Sequence, residues 1–214
     1  MNTVFTDIRQ HSIVEPASLT SGVVFALPHS GRDYGVSFLK QSILNQRSIR
    51  SSEDAFLDQL IDGIEKYGAP KIVANAPRAF IDLNRSTDEL DPALISGIKN
   101  SIRNPRVSSG LGVIPRVVAH GKEIYRGKLS FEQAQSRIAY YWKPYHKDLS
   151  DLLKRAQSIY GQSLLIDLHS MPHEAVSTQS SFRKAQEMVV GDRFGMSSDY
   201  EYTNLVISIL KQHG

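Results

Sequence analysis

The segment Gly22-Val-Val-Phe-Ala-Leu-Pro-His-Ser-Gly31 decides the fold. Its apolar run has no polar interruption and stops at Pro-His-Ser-Gly, which reads as a strand covered on both faces, the kind found in parallel sheets. A second stretch repeats the design: Ser163-Leu-Leu-Ile-Asp-Leu-His-Ser-Met-Pro172 is largely apolar until it too stops at a histidine. Lys71 to Ala74 and Ala79 to Leu83 read as further strands, and Glu187 to Val190 as a short one. Gly112 to Ala119 reads as a weaker strand, because Pro115 cannot donate to a ladder. Ser51 and Ser52 look like an N-cap region, followed by Glu53 and Asp54 in a first turn. Phe56, Leu57, Leu60, Ile61 and Ile64 then supply a helical stripe that Gly68 stops. The longest helical pattern runs from Ser130 to Gly161, with Pro144 expected to kink or split it. A last helix spans Asp199 to Gln212 and carries Leu205, Val206, Ile209 and Leu210. Strands alternating with helices predict an α/β domain with a largely parallel sheet.

Composition fits this reading. The chain has 214 residues, of which 41% are hydrophobic and 22% charged, which disfavours disorder, collagen and coiled coil. The length predicts a single domain over residues 1–214. No apolar run reaches the roughly 18 residues of a membrane helix. The first residues show no secretion signal, so a cytoplasmic protein is expected, without membrane partners. A net charge of +3, from 25 basic and 22 acidic residues that do not cluster, argues against nucleic acid and suits a small acidic substrate. There is no cysteine. Disulfides, thiolate metal sites and a cysteine nucleophile are therefore excluded, and any metal must be held by His, Asp or Glu.

Ligands in open α/β sheets bind beyond the carboxyl ends of the strands. His29 and His169 both stand at such ends, which suggests a shared metal. A catalytic zinc takes three protein ligands and keeps one position open. Glu53 and Asp54 are the nearest candidate carboxylates, although acids in a first helical turn are also explained by the helix dipole. A third feature is Arg78-Ala-Phe-Ile-Asp-Leu-Asn-Arg85, which sets arginines and an asparagine around a strand. Arginine suits bidentate carboxylate binding. Among the other histidines, His146 reads as a hydrogen-bonded helix-packing residue and His173 as a pocket-rim residue. His11, His120 and His213 read as surface residues, and Trp142 as core.

These pieces together resemble the N-formylglutamate amidohydrolase family, related to the zinc carboxypeptidases and aspartoacylases. The matching segments are Pro28 to Tyr34, Ser52-Glu53-Asp54 with Asp58-Gln-Leu60, Arg78 to Arg85, and Ile124-Tyr125. They continue with Pro144-Tyr145-His146, Asp167 to Pro172, and Gly191-Asp192-Arg193-Phe-Gly195. The resemblance implies a three-layer α/β fold, with a mixed, mostly parallel sheet flanked by helices as in the zinc carboxypeptidases. It implies a zinc-dependent amidohydrolase that cleaves an N-acyl acidic amino acid such as N-formyl-L-glutamate. His29 and His169 are then metal ligands, with Glu53 or Asp54 as the carboxylate ligand and Asp54 preferred. His169 and Arg78 take catalytic roles, Arg78 by polarising the scissile carbonyl or binding another carboxylate. Arg32, Asn84, Arg85, Asp192 and Arg193 bind substrate. The family pattern also implies a later Glu-Ile-Asn-Arg, absent from these residues. The expectation is thus a domain lacking its C-terminal segment, in which Glu174 or Glu123 must supply the proton shuttle. The alternative expectation is a catalytically impaired homologue that only binds metal or ligand.

Overall fold

The computed structural model describes residues 7–98, 104–172 and 188–213. It divides into two compact units, Met1–Ser170 and Met171–Gly214. The first holds a four-stranded sheet: β1 (His11–Val14), β2 (Val23–Leu27), β3 (Lys71–Ala74) and β4 (Leu164–Asp167), in the order β1-β3-β2-β4. β2 runs parallel to both β3 and β4, while β1 is antiparallel to β3. The apolar runs predicted β2, β3 and β4. They did not predict β1, a short edge strand whose His11-Ser12 start carries no apolar signal.

β2 lies inside the sheet, and Val24, Ala26 and Leu27 are at most 1% exposed. β4 differs from the expected fully buried strand. It alternates half-buried and exposed positions, and Leu165 is 38% exposed.

Two other segments expected as strands are not strands. Ala79, Phe80, Ile81 and Leu83 are buried, but their backbone turns on itself, with Phe80 and Ile81 N–H both bonding the Pro77 carbonyl. An apolar run reports burial; it does not by itself distinguish a strand from other buried backbone. Gly112 to Ala119 forms no ladder, only an isolated bridge between Val117 and Glu123, and Arg116 N–H folds back on the Gly110 carbonyl. Glu187 lies outside the described residues, and Met188 to Val190 have no regular structure.

Short helices α1 (Val36–Gln41) and α2 (Gln46–Ile49) follow β2. The helix expected over Phe56 to Ile64 is a single turn, α3 (Leu57–Leu60), and a 3₁₀ turn (Ile64–Tyr67). Phe56 at φ 62° and Gly63 at φ 86° stand before those two turns and break the stripe. A further turn, α4 (Pro105–Ser108), precedes the longest helical element. That element is continuous from α5 (Phe131–Arg137) through a π-turn (Ile138–Trp142) into α6 (Lys143–Tyr160). Ser130 opens it with a capping box to Gln133. Pro144 does not split it. It sits in the first turn of α6, directly after the π-turn, where the altered bonding (Lys143 N–H to the Ile138 carbonyl) absorbs its missing donor. Gly161 closes α6 at φ 75°, a left-handed cap that favours glycine.

The buried core contains an aromatic cluster that this helical element joins through Tyr141 and Tyr145. Phe80 meets Phe38 and Tyr141 edge-on, at 5.1 and 5.2 Å between ring centres. Arg137 is fully buried there, its guanidinium 4.1 Å over the Phe80 ring. His11, expected at the surface, instead packs its ring edge-on to Tyr145 and pairs with Asp148 at 2.8 Å.

In the second unit, Asp199 caps α7 (Tyr200–Gln212) through its side chain. No residue of α7 is buried, and Leu205 is 55% exposed. No helix among the described residues is long and apolar enough to cross a membrane.

Candidate metal centre

β2 and β4 are adjacent and parallel, with Ala26 opposite Asp167. The residues just past their carboxyl ends therefore meet, and His29 and His169 lie with Nδ1 atoms 3.2 Å apart. The loop after β2 also brings in a carboxylate. Asp54 N–H bonds the His29 carbonyl, and Asp54 Oδ2 stands 3.1 Å from His169 Nδ1 and 3.6 Å from His29 Nδ1. Gly31 makes this loop possible. A Cβ there would lie 2.1 Å from the Ala76 carbonyl oxygen, so only glycine lets the strand-end loops of β2 and β3 touch.

The three donor atoms form a nearly equilateral triangle. Ligands about 2.0–2.1 Å from a tetrahedral zinc stand about 3.3 Å from one another. The observed edges of 3.1, 3.2 and 3.6 Å bracket that spacing, so His29, Asp54 and His169 fit three corners of such a site. Of the two candidate carboxylates, Asp54 joins the triangle. Glu53, its side chain 2% exposed, turns instead to Arg50, with a 3.0 Å contact.

Each histidine is held from behind. Asp82 Oδ1 lies 2.8 Å from His29 Nε2, and Asp167 Oδ2 lies 3.1 Å from His169 Nε2. With Nε2–H given to Asp82, the His29 ring turns an Nδ1 lone pair to the centre, the usual support of a metal-binding imidazole, while His169 Nε2 stands between Asp167 and the Asn84 amide nitrogen 2.9 Å away. Asn84 Nδ2 also donates to Asp167 Oδ2, at 2.8 Å. Neither Asp82 nor Asp167 was singled out from the sequence. A signal did exist, since Ile-Asp-Leu occurs twice, at Ile81-Asp82-Leu83 and Ile166-Asp167-Leu168. An acid inside an apolar run is seldom buried without a partner.

The electrostatics favour positive charge at the centre. Burial opposes ionisation of Asp54, but hydrogen bonds from His169 and His29 outweigh it and hold the carboxyl well below its usual range. Burial likewise opposes ionisation of Asp82, and His29, then Arg78 and the Asn84 N–H, pull it down. Burial works against the His169 imidazolium, yet Asp167 and Asp54 push its pKa up to about 9. The carboxylates that favour the His169 imidazolium would equally favour a divalent cation at this point.

Asp82 also gathers arginines. Arg78 Nε donates to Asp82 Oδ2 at 3.0 Å, while Arg85 Nε stands 3.9 Å away and has no hydrogen-bond partner among the described residues. Arg85 is mostly buried, its side chain 13% exposed, so this is a cation with an unused donor beside the histidine pair. Arg32 is engaged elsewhere, paired with Asp58 at 2.5 Å and set over the Phe56 ring. Asp192 and Arg193 belong to the second unit, in a turn where Ser197 N–H bonds the Asp192 carbonyl. Glu123 is 3.6 Å from Arg116 and largely exposed. Glu174 and His173 lie outside the described residues.

Comparison with known proteins adds independent information. A family model described as N-formylglutamate amidohydrolase matches residues 21–214. The N-formylglutamate deformylase of Pseudomonas aeruginosa is 26% identical over 151 residues, covering 70% of this chain and 52% of that protein. The Pseudomonas putida enzyme of the same name is 27% identical over 151 residues, covering 70% and 51%. The chain thus spans about half the length of these curated relatives. A crystal structure of an N-formylglutamate amidohydrolase from Ralstonia eutropha JMP134 superposes with a TM-score of 0.87 at 29% identity, covering 97% of this chain and 75% of that one. A gene product of Agrobacterium tumefaciens, 13% identical with a TM-score of 0.54, shares the fold.

Proposed function

The chain belongs to the N-formylglutamate amidohydrolase family, and from that premise we propose that it hydrolyses the amide of an N-formyl acidic amino acid. N-formyl-L-glutamate is the first candidate substrate, yielding formate and glutamate. The relatives named N-formylglutamate deformylase support this substrate class. The observation that carries the chemistry is the donor triangle of His29, Asp54 and His169, with an arginine pair grouped on Asp82 directly behind it.

In this reading His29 Nδ1, His169 Nδ1 and Asp54 Oδ2 hold a zinc ion. Bound there, zinc supplies Lewis acidity, which polarises the amide carbonyl and eases deprotonation of the attacking water. The protein's own groups do the rest. Asp82 keeps Nε2–H on the His29 imidazole, so its Nδ1 lone pair stays aimed at the centre, and Asp167 stands behind His169. Arg85, whose Nε makes no hydrogen bond among the described residues, supplies the cation for a substrate carboxylate, beside Asn84, whose amide reaches Asp167 and His169. Arg78 spends Nε on Asp82, and its remaining N–H donors would stabilise the oxygen that gains charge as water adds, worth about 3 kcal/mol per donor. Binding both substrate ends in one place supplies the orientation that such a reaction needs. The ligands at the carboxyl edge of parallel strands also suit the zinc-carboxypeptidase-like fold implied by the sequence.

The test is formate release from N-formyl-L-glutamate by the chain with zinc, beside the chelator-treated chain. Zinc-dependent release supports the reading. Release at the same rate without metal, or release from N-formyl-leucine as fast as from N-formyl-glutamate, contradicts it.

A further inference from the structure

The turn that carries Asn84 and Arg85 is held by a helix that takes no part in the metal site. His146 Nε2–H donates to the Leu83 carbonyl at 2.8 Å, and Trp142 Nε1–H donates to the Arg85 carbonyl at 2.8 Å. The two carbonyls flank Asn84 on either side. One turn back, Arg137 Nη1 donates to the Phe80 carbonyl at 3.0 Å. A single helical element thus grips the backbone of the segment that contains Asp82, Asn84 and Arg85. Trp142 and His146 also lie ring on ring, with centres 3.9 Å apart, so neither donor can swing without the other.

The π-turn at Ile138–Trp142 makes this grip possible. In an α-helix each residue turns about 100°, so residues five apart, such as Arg137 and Trp142, would diverge by about 140°. A π-turn takes an extra residue per turn and returns the fifth residue toward the same face. Trp142 and His146 are four apart and share a face by ordinary helix geometry. The inserted residue therefore brings Arg137, Trp142 and His146 into one row. Burial also favours the neutral imidazole of His146, which keeps a single Nε2–H for the carbonyl.

From this arrangement we infer that Trp142 and His146 are positioning residues that fix Asn84 and Arg85 for binding a substrate carboxylate. This rests on the reading of Arg85 and Asn84 as the carboxylate site. Neither residue touches the substrate, so their effect appears in binding rather than in turnover. Losing one such hydrogen bond is expected to weaken carboxylate binding about three- to tenfold.

The experiment compares wild type, Trp142→Phe, His146→Leu and His146→Gln. Trp142→Phe keeps a ring and removes the donor. Gln can place an amide N–H where His146 Nε2–H now sits, whereas Leu cannot. Calorimetric titration of L-glutamate into the chelator-treated chain reads carboxylate binding without metal. KM and kcat for N-formyl-L-glutamate are read on the zinc-loaded chain. Trp142→Phe and His146→Leu should raise both the L-glutamate Kd and KM about three- to tenfold, with kcat within about twofold and zinc content unchanged. His146→Gln should restore most of the loss. Unchanged glutamate binding in Trp142→Phe and His146→Leu overturns the inference, as does a fall confined to kcat or no glutamate binding by wild type. If wild type binds glutamate but does not hydrolyse N-formyl-glutamate, the proposed reaction falls and the positioning role is still decided by the Kd values.

Discussion

At the scale of single residues, the site depends on which of two adjacent acids faces the histidines. Glu53 and Asp54 are equivalent in sequence, both acids in an expected first helical turn. Tertiary placement separates them, because Asp54 N–H is tied to the His29 carbonyl while the Glu53 carboxylate pairs with Arg50. Asp54→Ala should therefore abolish stoichiometric zinc binding, and Glu53→Ala should retain it, as read by metal content after dialysis. Asp82 acts through His29, so Asp82→Asn should leave an ion bound but weaken its affinity by about 10- to 100-fold, measured by competition with a chelator. The sequence made His29 and His169 legible because each ends an apolar run. It left Asp82 unread because a buried acid announces itself only through its partner, and His29 comes from a distant strand end; Asp167 pairs with His169 two residues on and gave no separate signal. Arg32 illustrates the converse: its motif neighbours suggest substrate, and its fork is occupied by Asp58.

At the scale of elements, apolar periodicity located β2, β3, β4 and the long helix, because each is long enough or buried enough to leave a pattern. It overstated the Phe56–Ile64 helix and the Ala79–Leu83 strand. In the first, a left-handed Phe56 resets the backbone; in the second, buried turns carry the same apolar composition as a strand. No sequence pattern marks a π-turn, and Pro144 falls directly after it without splitting the helical element. Gly31→Ala drives a Cβ into the Ala76 carbonyl oxygen, separating the β2 and β3 end loops, and should cost about 1–3 kcal/mol of stability in chemical denaturation. His146 supplies a pH dependence. Burial lowers its pKa below the ordinary 6.5, against the smaller opposing pulls of the Leu83 carbonyl and the Asp167 carboxylate. The unfolded chain then takes up the proton first. The contribution of His146 is complete above about pH 6.5 and fades as pH falls below it. His146→Gln has no such proton to gain, so its Tm should fall less than that of wild type between pH 7 and pH 5.

At the scale of the whole molecule, the fold brings the strand-end loops together, and the site is a consequence of that topology. Two parallel neighbours end in histidines, a glycine lets the next loop close in, and a helix crossing behind grips the turn that bears Arg85. Charge follows the same plan: anionic Asp54, Asp82 and Asp167 surround the imidazoles, so a cation completes the site. An ion that binds only the folded chain should raise its stability, by about 2.7 kcal/mol when present at a hundred times its Kd. Adding zinc should accordingly raise the Tm of wild type and leave that of His29→Ala unchanged. The most direct measurement is the zinc content of the purified chain by elemental analysis, made in parallel on wild type, His29→Ala, Asp54→Ala and His169→Ala whose circular dichroism shows them folded. One zinc per wild-type chain is expected, and its loss from each of the three variants. Wild type that takes up no divalent metal, or folded variants that keep a full equivalent, would contradict that expectation.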